Sequence, residues 1–103
     1  MLLIREVMYC KPGKVKPLAE KFVAMSQLME KNGMGKMRVM TDLSAERYWM
    51  AVAEFEVPTL AAFESIMAGE GGNPEQMKEM DKIMKDYHEL VEHGRREIFK
   101  IEN

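Results

Sequence analysis

Cysteine is nearly absent from this chain: Cys10 is the only one among 103 residues. A lone thiol forms no internal disulfide and builds no cysteine zinc site. Histidine is almost as scarce, with His88 and His93 alone. An excess of one charge is missing too, since 17 acidic residues face 15 basic ones. A nucleic-acid module needs a basic footprint and a membrane-surface protein a polybasic patch. Neither nucleic acid nor membrane is therefore expected as a partner. No stretch approaches the ~20 apolar residues of a membrane span. The opening "MLLIREVMY" is expected to be a strand and not a signal peptide, because Arg5 and Glu6 interrupt its apolar run. A reducing, cytoplasmic setting is expected.

What the chain has in quantity is methionine, twelve in all. Met is flexible and polarisable. It fills a core poor in Leu and Ile, or else lines a pocket that moulds to an apolar ligand. The length fits one domain, residues 1–103, able to bury roughly 65% of its unfolded surface. A partner subunit would add to that modest core.

The first strand is expected over Leu2–Cys10, with Leu2, Ile4 and Met8 on one face and Leu3, Val7 and Tyr9 on the other. Apolar residues on both faces mark a central, doubly covered strand. "KPGK" (Lys11–Lys14) is a turn. A helix follows to about Lys31, with Val15, Leu18, Phe22, Met25 and Met29 as its stripe. Pro17 sits in its first turn and Asn32-Gly33 is its stop. Gly35–Leu43 alternates as an edge strand, and Glu46–Pro58, "ERYWMAVAEFEVP", as a long third strand.

Thr59 is the expected cap of a short helix, "LAAFESIMA". "GEGG" (Gly69–Gly72) reads as a mobile loop gating access to the interior. Its glycines before a helix resemble a generic anion site, yet Glu70 and Glu75 would repel a phosphate and the spacing fits no nucleotide motif. Asn73 then caps a helix, with Pro74 at its first position and Gln76 closing a capping box. Met77, Met80, Met84, Tyr87 and Val91 form its stripe, Gly94 ends it, and "RREIFKIE" is the last strand. The order is the split βαβ pattern: an α+β, ferredoxin-like βαββαβ fold with a four-stranded antiparallel sheet and its helices on one face. A second subunit packed sheet to sheet is the simplest cover for the other face.

Three features carry a family resemblance: the first strand running into "CKPGKVKPLAEKF", the third strand closing into "EFEVPTLAAFES", and the element order. In these the chain resembles the dimeric α/β-barrel superfamily, above all its NIPSNAP-like and antibiotic-biosynthesis-monooxygenase-like members. The resemblance implies a homodimer whose two sheets enclose a barrel-like space. It does not carry an active site across. Heme-degrading members use a strand-one Asn, a Trp and a helical His, and the first strand here has no Asn. Monooxygenase-like members often carry a Trp near the end of the third strand, where this chain has Phe55-Glu56-Val57. NIPSNAP-like members often show a polar pair in the first strand, where Ile4 and Glu6 stand here.

Alternation sorts the third strand. Arg47, Trp49, Ala51, Ala53, Phe55 and Val57 form the more apolar face, and two alanines let helices approach closely. This face is expected to meet the helices. Tyr48, Met50, Val52, Glu54 and Glu56 then face the inter-subunit space. A carboxylate buried there needs a cation, water or ligand donor. Glu54 is accordingly the candidate general base or ligand anchor, or else a salt-bridged residue at the rim; Glu6 poses the same question. His88 borders the apolar stripe of the last helix but has no neighbours at metal-ligand spacing. His93 is placed in the last helical turn, where a cation suits the dipole. Cys10, beside Lys11, reads as an ordinary strand-end thiol with a slightly lowered pKa.

The resulting expectation is a homodimer that binds a small, largely apolar or aromatic molecule in its barrel, lined by Tyr48, Met50, Glu54 and His88. No metal and no cofactor is called for. Two alternatives stand beside it. One is a cofactor-independent monooxygenase acting on a quinol- or polyphenol-like substrate. The other is a structural or assembly dimer with its barrel filled by methionine.

Overall fold

The computed structural model describes residues 1–69 and 74–103. The predicted Asn73 cap and the loop residues Glu70–Gly72 lie outside them. Strand β1 (Leu2–Cys10) leads into helix α1 (Val15–Lys31), followed by β2 (Met37–Thr41) and β3 (Met50–Val57). Helices α2 (Leu60–Met67) and α3 (Pro74–Ile83) come next. A 3₁₀ turn (Tyr87–Glu89) then leads into β4 (Val91–Lys100). The sheet has the order β2-β3-β1-β4 and every neighbouring pair is antiparallel. It stays open, and the arrangement is the expected α+β, ferredoxin-like one.

The helix side carries the main core. Leu18 and Phe22 of α1 pack on Ala51, Ala53 and Cys10, and the two alanines allow the close approach. Farther along the sheet, Phe63 of α2 packs on Ile4 and Val57. Residues 50–57 therefore keep the alternation read from the sequence. Helix α1 stops where Gly33 takes a left-handed conformation (φ 70°) and Met34 N–H donates to the Met29 carbonyl. Thr59 caps α2, its hydroxyl accepting from Ala62 N–H at 3.1 Å. Lys21 ties α1 to the end of α3 by donating to the carbonyls of Ile83 (3.1 Å) and Lys85 (2.8 Å). A cation suits a helix C-terminus.

Two elements begin four residues away from where periodicity places them. β3 starts at Met50 and not at Glu46, because residues 44–49 form a bend region and Trp49 is left-handed (φ 65°). β4 starts at Val91, inside the predicted helix. Pairing with the nine-residue β1 overrides helical periodicity there, running from Leu2↔Lys100 to Cys10↔Val91. Gly94 is thus no helix stop. A Cβ at this position would lie 2.6 Å from Met8 Sδ and 2.9 Å from the Val7 carbonyl oxygen, so the close passage of β4 over β1 requires glycine.

Candidate functional site

Among the described residues, the helices all lie on one side of the sheet, and its other face is open. Pairing register arranges that face in rows across the strands. Leu3 and Phe99 share one row with Glu56. The next row is made of charge alone: Arg38, Glu54, Arg5, Glu97, one residue from each strand in sheet order. Arg5 Nε lies 3.3 Å from Glu54 Oε2 and Arg5 Nη1 lies 3.7 Å from Glu97 Oε1. Arg38 Nη1 reaches Glu54 Oε1 at 3.8 Å. Arg5 Nε is buried and makes no hydrogen bond among the described residues, so its contact with Glu54 is an ion pair alone.

Beyond the charged row lies an apolar floor, with Val7 and Val52 in one row and Tyr9 and Met50 in the next. Val7, Tyr9 and Met50 are all buried although no helix among the described residues covers them. Tyr9 is covered by long side chains instead. Its hydroxyl donates to Glu46 Oε1 at 2.5 Å and accepts from Arg95 Nη1. The His93 ring stacks on the phenol at 4.6 Å, and the Arg47 guanidinium lies 4.7 Å from the ring centroid. Arg47 is anchored by His93 Nε2 at 3.4 Å and by Glu92 at 3.9 Å. Glu46 and Arg47 come from the bend region before β3, which thus folds over the floor.

Among the four residues expected to line a pocket, Met50 and Glu54 share the open face. Tyr48 belongs to the bend region and is 86% exposed. His88 sits in the 3₁₀ turn, its ring tilted against Tyr87 at 3.9 Å, and Tyr87 packs into the helix-side core. His88 and Glu54 are therefore not brought together. Both oxygens of Glu54 are taken by arginines. Glu6 points to the helix side and is partnered by Arg96, whose guanidinium lies 5.0 Å from the Phe63 ring centroid.

The Tyr9 cluster escaped sequence reading for a definite reason. Gly94 reads as a helix stop, which assigns His93 to a helix; in β4 it stands opposite Tyr9. Cys10 also corrects an expectation. Burial, with Asp42 nearby, pushes its thiol pKa up from the ordinary value, outweighing any effect of Lys11. It is a packed side chain of the helix-side core.

Two clefts flank the sheet. One of about 550 Å³ lies at the β2 edge, between Ser26 and Glu30 of α1 and the Arg38–Glu54 end of the charged row. The other, about 500 Å³, is bordered by Trp49, Asp42 and Thr41 against Val15, Lys16 and Ala19 of α1. Trp49 thus stays on the helix side, half-exposed. Among the described residues no group of three His, Cys, Asp or Glu side chains is placed to hold a metal ion.

No protein-family model matches the chain, and no curated protein sequence matches it. Its fold, however, is that of the NIPSNAP-like and antibiotic-biosynthesis-monooxygenase-like proteins. A NIPSNAP-like domain protein from Burkholderia xenovorans superposes with a TM-score of 0.73 at 12% identity, over 98% of this chain and 84% of the other. A NIPSNAP domain protein from the same organism gives 0.69 at 16% identity, over 99% and 95%. A putative antibiotic biosynthesis monooxygenase from Deinococcus radiodurans gives 0.65 at 13% identity, over 100% and 94%. Identities this low establish the fold and leave the chemistry to the residues.

Proposed function

We propose that the chain works in the cytoplasm as a homodimer whose open sheet faces enclose a chamber, and that the chamber binds a small, largely apolar aromatic molecule. One observation carries this reading: Val7, Met50 and Val52 form an apolar floor, with the Tyr9 phenol beside it, on a face that no helix among the described residues covers. An apolar pocket with a few convergent polar groups is the usual form of a small-molecule site. Here the polar groups are Tyr9, Arg95 and Glu46 at one end and the charged row at the other. A single, unpaired Cys10 suits a reducing compartment. No helix among the described residues is long and apolar enough to cross a membrane.

The test pairs solution mass with thermal-shift screening against quinols, polyphenols and heme. A dimeric mass, with a melting temperature raised by an aromatic ligand in the wild type and not in Val52→Arg, is the expected result. A monomeric mass removes the chamber. A dimer whose melting temperature responds to none of these ligands removes the ligand.

A second reading is an enzyme, cofactor-independent and of the monooxygenase type, acting on a quinol-like substrate. It is favoured by the short Tyr9–Glu46 contact beside the apolar floor, and by the fold shared with the Deinococcus protein. Glu46 would accept a substrate proton, and Arg95 would stabilise the anion left behind for reaction with dioxygen. Oxygen uptake with a quinol, abolished in Glu46→Gln, supports it. Undiminished uptake in that variant removes Glu46 from the reaction.

A further inference from the structure

We propose that the row Arg38–Glu54–Arg5–Glu97 fixes how two copies meet, by making the open face complementary to itself about a two-fold axis parallel to the strands. The inference rests on the homodimer reading and goes beyond it, because it selects one of two face-to-face arrangements.

The row alternates plus, minus, plus, minus across the sheet order β2-β3-β1-β4. A two-fold axis between the sheets, parallel to the strands and midway between β3 and β1, reverses the row of the facing copy. Arg38 then faces Glu97 of the second copy, and Arg5 faces its Glu54. Every charge meets its opposite. A two-fold axis running along the row would instead set Arg38 over Arg38 and Glu54 over Glu54, with repulsion at each position. An alternating row of even length is complementary only under the first operation.

The free edges agree with that axis. An axis parallel to the strands keeps strand direction, so β4 of one copy comes beside β2 of the other. These two run antiparallel, because each neighbouring pair in the sheet is antiparallel. Both edges can be covered at once, which removes the unpaired strand edges of the single subunit. Charge arrangements of this kind set register and partner orientation more than affinity.

The experiment is a mixing assay. A variant with the whole row reversed (Arg38→Glu, Glu54→Arg, Arg5→Glu, Glu97→Arg) keeps the three ion pairs of the row within its chain, loses only the Arg95–Glu97 contact at 3.0 Å, and remains complementary to itself. Against the wild type, however, like charges meet at all positions. The two chains, distinguished by a mass tag, are mixed, left to exchange and analysed by native mass spectrometry. Two homodimers are expected, with the heterodimer reduced about fivefold or more below the statistical half. Statistical mixing overturns the proposal while leaving the homodimer intact. An excess of heterodimer overturns it too, because it places the axis along the row. A monomeric wild type sinks the homodimer reading, and the row with it. If the fourfold variant does not fold, the pair Arg38→Glu and Glu97→Arg poses the same question at the two edge positions, and the same outcomes decide it.

Discussion

Asp42 and Met50 close the loop between β2 and β3 from both sides. Met50 N–H donates to Asp42 Oδ1 at 2.8 Å, and Asp42 N–H donates to the Met50 carbonyl at 3.2 Å. This clamp sets where β3 begins, and it holds the bend region that carries Glu46 and Arg47 over Tyr9. Asp42→Ala leaves the Met50 amide without its side-chain acceptor. The expected loss is about 1–2 kcal/mol, read as a lower urea midpoint at unchanged slope.

Tyr9→Phe keeps the ring under His93 and Arg47 but removes the hydroxyl that joins Glu46 to Arg95. Glu46 and Arg95 are themselves exposed and remain 3.5 Å apart as an ion pair, so the loss expected is that of an ordinary hydrogen bond, about 0.5–1.5 kcal/mol. Chemical denaturation of wild type and variant measures it. Equal stabilities would show that the hydroxyl contributes nothing to the fold.

Gly94→Ala places a methyl group against the Val7 carbonyl, which is backbone and cannot rotate away. Overpacking of this kind costs about 1–3 kcal/mol. For a domain of this size the melting temperature falls by roughly 4–8 °C per kcal/mol.

The buried Cys10 thiol has a raised pKa in the folded chain. Below the ordinary thiol value both states keep the proton and stability is unaffected. As pH rises through that value the unfolded chain releases its proton first, so stability falls. A melting temperature that declines between about pH 8 and pH 10 more steeply in the wild type than in Cys10→Ala is expected. A thiol reagent should also react with Cys10 only after unfolding. Identical pH profiles for the two proteins would contradict the burial argument.

Thr59→Ala removes the acceptor of the Ala62 amide at the start of α2. A loss of about 1 kcal/mol is expected, and Thr59→Ser should restore most of it. Thermal melts of the three proteins check this directly.

By itself the sequence determined the element order, the central position of β1 and the face of residues 50–57 that meets the helices. These rest on local signals: period-two and period-3.6 apolar patterns, a Thr cap and a Gly stop. They are strong wherever one face of an element must leave water. Only the tertiary structure decided the site. The start of β3 depends on the Asp42–Met50 clamp and the left-handed Trp49. The start of β4 depends on the length of β1, against which it pairs. Those two boundaries move Tyr48 into a bend and bring His93 opposite Tyr9. They also leave His88 on the helix side, away from Glu54. The charged row is likewise absent from any local pattern, because its four members are separated by 16 to 43 residues between neighbours in sequence order. Strand register alone brings them into line, and register is set by pairing across the sheet.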